Sequence, residues 1–520
     1  MITIKKKFIF NDNSGSYFEI FLIVTLILIA LKTSYSQTAT WDGSSSTDWN
    51  TAANWSTNSV PTSSNDVIIP DVTNDPIITS SSDECHNLTI QSGGILTSNN
   101  GSYKLTTASI TVNDGGSLVI SDGEIECTGK ADIDGLLTIS GSGATLDING
   151  ELELSSTTTE AISDGNLTVV GDFDGAAANN FTPSGGTLTM DGSGADASIT
   201  IHTNANFYNL TVNSGSYEVD AGSNFNVNSA LTVTSGSLDI SSYTATVSGA
   251  TDIDGTLKIS TGIYDANNSF TASEGNITFT DAGFLKCALS VGSIGTLSTS
   301  NGTVVYDRPS GTQNVTQGTY NNLTIDGNAS HQIGGGVGIN VLGNLVVNQN
   351  GSTVFDVRDK NITVSGTSDI NGTLDIGTGT FDANGTFDAT GGSVTFTDAG
   401  QLNLAGTVTS LGTFTRSTGT VEYDGGDQSV IALSSSSSSS YNNLIINGTG
   451  TKTLAGTSKI YGDLTLTASD FDINGKTIYL KENMTRTSGN LISGSSANIT
   501  IDNSGSHNIC AFSDDDITIK

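Results

Sequence analysis

The chain has 520 residues, with 52 acidic against 18 basic ones and a formal net charge of −34, yet only 13% of its residues are charged. That balance excludes nucleic acid as a partner, because phosphate binding needs Lys and Arg clusters and the only basic run is Lys5-Lys6-Lys7. The low charge density argues against the highly charged disordered class, and 61 Gly with only 5 Pro point to turns and short strands.

In chain order, the first element is a targeting segment. Lys5, Lys6 and Lys7 precede an apolar stretch from Ile20 to Leu31, and Ser34-Tyr35-Ser36 offers small residues at a cleavage site before Gln37. The stretch is too short for a membrane span, which takes about 20 apolar residues. Residues 1–36 are therefore read as a cleaved secretory signal that leaves no transmembrane anchor.

Residues 37–84 hold all three Trp residues, Trp41, Trp49 and Trp55, and read as an N-terminal cap. An aromatic cluster closing the first turn and a Trp platform for stacking sugars are the two uses such a set could have.

From residue 85 the sequence repeats itself. Thr256–Asp307 and Thr373–Asp424 align without a gap at an offset of 117 residues. The first opens TLKISTGIYDANNSFTASEGNITFTDAG and the second TLDIGTGTFDANGTFDATGGSVTFTDAG. An Asn-Leu-Thr-Ile-like marker recurs around Leu88, Leu210, Leu323 and Leu444, at spacings of 122, 113 and 121. A second marker, Asp-Ile-Asp/Asn-Gly, recurs at Asp132, Asp252 and Asp369. The expected division is 85–206, 207–319, 320–440 and an incomplete 441–520, four units of about 118 residues.

Inside each unit runs a finer pattern, Gly-x-Leu-x-Ile, as at Gly116, Gly150, Gly165, Gly186, Gly236, Gly255, Gly343, Gly372 and Gly462. Alternation puts Leu and Ile on one face of a strand of about five residues. The preceding Gly suits a turn that needs φ > 0. So short a strand cannot bury its face alone, but stacked coils share an interior. The expected fold is all-β: a right-handed parallel β-helix, or β-solenoid, with tandem β-sandwiches as the alternative. No sustained 3.6-residue pattern follows the signal, which disfavours a sheet covered by helices. The run Ser434–Ser440 reads as a low-complexity loop, and the closing Asp-Ile-Thr-Ile-Lys as a chain entering another strand.

These residues resemble the exported bacterial β-solenoid proteins of the filamentous-haemagglutinin and autotransporter-passenger kind. The opening TWDGSSSTDWNTAANWSTNSVPTSSNDVIIP is similar to a segment at the start of large surface proteins of Bacteroidetes-type bacteria. The resemblance implies a secreted or cell-surface location and adhesion, with extracellular glycans or surface proteins as partners.

Chemistry leaves little trace in the sequence. His86, His202, His331 and His507 have no neighbouring His at metal-ligand spacing, and Cys85-His86 is a bare pair. Cys85, Cys127, Cys287 and Cys510 form no CxxC pair; export permits disulfides, Cys85 and Cys127 are closest in sequence, and buried free thiols are the other reading. The turns at Asp132-Ile133-Asp134-Gly135, Asp172-Phe173-Asp174-Gly175 and Asp252-Ile253-Asp254-Gly255 begin like calcium loops but lack the remaining ligands. Structural calcium is the one cofactor they would suit, and ordinary Asp-Gly turns explain them without it. Arg308, Arg358, Lys360 and Arg416 fall in different coils. No catalytic, cofactor-binding or metal-binding residue is assigned. The expectation is a structural, adhesion-type repeat protein without catalysis. The alternatives are a polysaccharide-binding or polysaccharide-degrading β-helix, or a stalk for a further domain.

Overall fold

A computed structural model describes residues 37–520, apart from 179–180, 194–196, 203–205, 221–223, 435–437, 502–504 and 513. The expected signal, residues 1–36, lies outside the described residues, as does the centre of the serine run. The fold is a parallel β-solenoid of about 21 turns. Every ladder between the described strands is parallel, which rules out the β-sandwich alternative. The one antiparallel contact among the described residues is an isolated bridge between Trp41 and Trp55. The one helical element described is a 3₁₀ turn, Ala52–Asn54, and no described helix is long and apolar enough to cross a membrane.

Most turns lay one strand on each of three faces, and in the first turns Ile95–Thr107 and Ser117–Cys127 each run over two of them. An 11-stranded sheet runs unbroken from Asn206–Phe207 to Val408–Ser410 and serves as the third face. Between its successive strands the chain visits the second face and then the first. Strands of three to five residues alternate half-buried and buried positions, as in Asn87–Ile90 and Thr145–Ile148. Inward residues stack in register from turn to turn: Leu146 pairs with Leu167, Leu167 with Leu188 and Leu188 with Leu210. One apolar cluster therefore runs from Ala39 to Ile517. Each buried Leu, Ile or Val contributes about 1.5–3 kcal/mol relative to exposure, and no strand could retain that alone.

The glycines work differently from the sequence expectation. Of the nine Gly that precede the Leu-x-Ile strands, only Gly165, Gly186 and Gly236 have positive φ. The commoner reason is space. Gly343, Gly366, Gly385 and Gly406 sit at one corner on successive turns. A Cβ on Gly366 would lie 2.4 Å from the Gly343 carbonyl oxygen, one on Gly385 2.1 Å from that of Gly366, and one on Gly406 2.0 Å from that of Gly385. The corner backbones stack too closely for any side chain.

The three faces also change the meaning of the long repeat. Asn209–Ser214 and Asn322–Ile325 are seventeen strands apart. At three strands per turn, that is five turns and two thirds. Each duplication therefore ends one face out of phase. The marker strand Asn87–Ile90 lies on the first face, Asn209–Ser214 on the second, Asn322–Ile325 on the third and Asn443–Ile446 on the first again. Equivalent residues of successive units point in different directions around the rod.

Candidate interaction surface

The rotation separates the repeated acidic motifs. Asp132 is on the first face, Asp252 on the second and Asp369 on the third. They do not stack on one another along the rod. A different acidic row does form on the first face, where Asp132 pairs in register with Glu153 and Glu153 with Asp174. Lys130 bridges Glu151 and Glu153 beside it. Burial, then the charges of Asp134 and Glu153, raise the pKa of Asp132. On the second face Lys104 holds Glu124 and Glu126 at 2.8 Å each. Beyond them Thr168, Thr189, Thr211 and Thr232 follow one another in register, as β-branched residues suit a half-exposed pleat. Among the described residues no group of three His, Cys, Asp or Glu converges to hold a metal ion.

The other residues singled out from the sequence do not converge either. Cys85 points inward and its thiol hydrogen-bonds the Thr107 hydroxyl at 3.3 Å, while His86 points outward to Asp66 at 3.0 Å. The two cannot share a metal ion. Cys127 pairs in register with Thr107, so Cys85 and Cys127 stand two rungs apart, about 9.6 Å at the usual strand spacing. That exceeds disulfide reach, and all four cysteines are free thiols. Burial pushes the Cys85 thiol up to about 12, which makes it unreactive at neutral pH. Trp41, Trp49 and Trp55 are at most 1% exposed and pack edge to face, with centroids 4.9 and 4.7 Å apart. Trp41 Nε1 donates to the Asn74 carbonyl and Trp55 Nε1 to that of Trp49. No ring face is open to a sugar, so the cluster is packing and not a platform.

Two buried polar clusters escaped the sequence reading. Tyr306 and Tyr320 share a hydrogen bond of 2.9 Å, and Tyr423 and Tyr441 one of 3.2 Å. Nearby, Gln313 Nε2 donates to the carbonyls of Cys287 and Leu289, and Gln428 Nε2 to those of Leu404 and Gly406. The clusters occupy matching positions in successive units. One inward column reads Gln313, His331, Phe355 and the other Gln428, Lys452, Phe471. The clue was present in the aligned Tyr-Asp pairs that end the duplicated segments.

The cluster has a titratable edge. One carboxylate oxygen of Asp307 is buried without a hydrogen-bond partner. Burial, helped by the charge of Asp265, raises its pKa to about 6. The folded state thus holds this proton more tightly than the unfolded chain, whose pKa is near 3.8. The Asp307 contribution is most favourable below pH 3.8 and becomes a penalty as pH rises through 6. With allowance for partial exposure the penalty is about 1–2 kcal/mol at neutral pH. Asp307→Asn is expected to raise the melting temperature at pH 7 and leave it unchanged near pH 3.5. An equal gain at both pH values would show that the charge is not the cause.

Basic residues are not evenly spread. Six of the fourteen between residues 37 and 520 lie from Arg416 to Arg486: Arg416, Lys452, Lys459, Lys476, Lys481 and Arg486. Three of them stand against tyrosine rings. The Arg416 guanidinium lies 3.4 Å from the Tyr461 ring centroid, Lys481 Nζ 4.2 Å from the same ring, and Lys459 Nζ 5.5 Å from that of Tyr479. Lys459 and Tyr479 are register partners. Arg416, Tyr461 and Lys481 each directly follow a strand, Thr413–Thr415, Ser458–Ile460 and Thr477–Leu480, on the second face. All five side chains are half-buried.

A sequence family described as "Domain of unknown function (DUF8693)" matches residues 40–124. The match spans the tryptophan cluster and the first turns of the solenoid, a minor part of the chain. No curated protein matches it.

Proposed function

We propose that the protein is a secreted or cell-surface scaffold of the adhesion type, acting through its outer faces and not through catalysis. One observation carries this reading: a single apolar core runs from Ala39 to Ile517, wrapped by parallel sheets that overlap along its length. About 21 turns at about 4.8 Å each make a rod of about 100 Å. Such a rod holds polar rows at fixed spacing far from its base. The lysine-led, apolar opening supports export, and the serine- and threonine-rich exterior suits an extracellular surface. The partners are glycans or surface proteins outside the cell. Antibodies against residues 37–520 are expected to label intact host cells, or to detect the protein in their medium. Label that appears only after permeabilisation would overturn the location and the function built on it.

A further inference from the structure

The ladders of the rod are interrupted at seams. On the second face one ladder ends at Val291–Ser293, and the next begins a turn later at Thr312–Val315 without pairing to it. Gln313 stitches this seam, since its side-chain amide donates across it to the carbonyls of Cys287 and Leu289 at 2.7 Å each. The duplication repeats the seam on the third face. There Val408–Ser410 ends a ladder, Gln428–Val430 begins the next, and Gln428 reaches back to the carbonyls of Leu404 and Gly406 at 2.8 Å each. The two seams differ at one corner. The second reads Asp424-Gly425-Gly426-Asp427-Gln428, the first Asp307-Arg308-Pro309-Ser310-Gly311-Thr312-Gln313. The Arg308 backbone amide donates to the Gln313 side-chain oxygen at 3.3 Å, as that of Gly425 does to Gln428 at 2.9 Å. Arg308 therefore stands where the second copy has glycine.

The first seam opens a cavity of about 300 Å³ lined by Arg308, the size of a small-molecule site. The Arg308 Nε donates to the Ser310 carbonyl at 2.7 Å, which fixes the guanidinium. None of the ion pairs among the described residues involves Arg308. Its terminal amino groups, the fork that grips a carboxylate, keep their hydrogens for a ligand. Asp326 is occupied by the Gly327 backbone amide at 2.8 Å and by the Asn350 side-chain amide. In the second seam, by contrast, the carbonyls of Gly425, Gly426 and Thr449 consume the charge of Lys452. Leu289 and Val291 give the first cavity an apolar wall, and Thr312, Asn314 and Gln332 line it with a hydroxyl and two amides. Gln332 Nε2 donates to Asn314 Oδ1 at 2.8 Å, which leaves the Asn314 amide hydrogens and the Gln332 oxygen for a ligand. We infer that this cavity binds a sugar acid, with its carboxylate on Arg308, its hydroxyls on Asn314 and Gln332 and its ring face on Leu289 and Val291. The inference rests on the extracellular, glycan-facing reading above and names the ligand of one site. One guanidinium matches one negative charge. A phosphate dianion would need a second cation, which a chain of net charge −34 does not place there.

The test uses the purified protein with galacturonate, glucuronate, neutral galactose and galactose 6-phosphate as probes, measured by ligand-observed NMR titration. At least one uronate is expected to bind, and galactose to bind about tenfold more weakly or not at all. Arg308→Gln is expected to lose about tenfold in affinity or more, and Arg308→Lys to recover part of it, since an ammonium keeps the charge without the fork. Lys258→Gln, which removes a cation from the first face, is expected to bind like the parent. Melting curves on each variant separate lost binding from lost folding. If Arg308→Gln unfolds, Asn314→Asp decides, because Asn314 is exposed and an acid there would repel the carboxylate. Equal affinity of the folded Arg308→Gln and the parent would overturn the proposal, as would the absence of binding by both uronates. Galactose binding as tightly as the uronates would overturn it too, and tighter binding of galactose 6-phosphate would give the site to phosphate instead. A surface-located protein that fails this test loses the ligand of the seam and keeps its scaffold role. A protein that binds uronates but is found only inside the cell keeps the site and loses the location.

Discussion

Gly385→Ala is expected to destabilise the solenoid by about 2–3 kcal/mol, although alanine is among the mildest substitutions chemically. Gly385 has no positive φ, so backbone freedom is not the issue. Its Cβ would lie 2.1 Å from the Gly366 carbonyl oxygen and 2.5 Å from the carbonyl carbon. Neither atom can swing away as a side chain would, because both belong to the rung below. Two other glycines isolate this cause. Gly391 has φ +90 and nothing within 4 Å of a Cβ, so Gly391→Ala pays only for the left-handed conformation, about 1–2 kcal/mol. Gly494 has neither constraint, and Gly494→Ala is expected to be neutral or slightly stabilising. Because a repeat stack is held by nearest neighbours, the damage from Gly385→Ala should appear first as faster amide hydrogen exchange in the rungs around residues 366–406. Equal stability of the Gly385 and Gly494 variants would show that the corners are not stacked this closely.

His331 and Lys452 occupy matching interior positions and are expected to respond in opposite directions to apolar replacement. His331 is fully buried and neither ring nitrogen has a hydrogen-bond partner of good geometry. Burial lowers its pKa to about 4 from 6.5, with partial compensation from the backbone of Val354 and Ala329. Above pH 6.5 the imidazole is neutral in both folded and unfolded states. As pH falls from 6.5 to 4 the unfolded chain takes up a proton that the folded one refuses, and stability drops by up to about 3 kcal/mol. His331→Leu removes both the orphan nitrogens and this proton uptake. It is expected to stabilise by about 1 kcal/mol at pH 7 and by more at pH 5.

Lys452 is equally buried, but its ammonium donates to the carbonyls of Gly425, Gly426 and Thr449 at 3.0, 2.7 and 2.7 Å and to the Ser469 hydroxyl at 3.2 Å. Burial lowers its pKa, and Asp427 and Asp424 partly restore it. Lys452→Met would strand three carbonyls in the interior and is expected to cost about 2–3 kcal/mol. Denaturant melts at pH 5 and pH 7 report both variants. Stabilisation of both would mean that the carbonyl cage contributes less than the cost of burying the charge.

Much of this architecture follows from the sequence alone. The Leu-x-Ile alternation is a property of single strands, and strand periodicity needs only local backbone geometry to place Leu146 or Leu374 inside. The recurrence of short strands that cannot bury themselves determined that the coils must stack, and the gapless match of Thr256–Asp307 to Thr373–Asp424 determined that the stack grew by duplication.

The tertiary structure decided what depends on the number of residues per turn. Seventeen strands do not divide by three, so the copies at Asp132, Asp252 and Asp369 face three directions, while Asp132, Glu153 and Asp174, which hold no equivalent motif position, line up. Coil closure likewise decided why the corner glycines are glycine, brought Arg416 over Tyr461 from 45 residues away, and left Cys85 and Cys127 one rung too far apart to bond. A sequence repeat fixes which residues are equivalent. Only the winding of the chain fixes which become neighbours, because the contact between rungs is set by turn length and not by motif length.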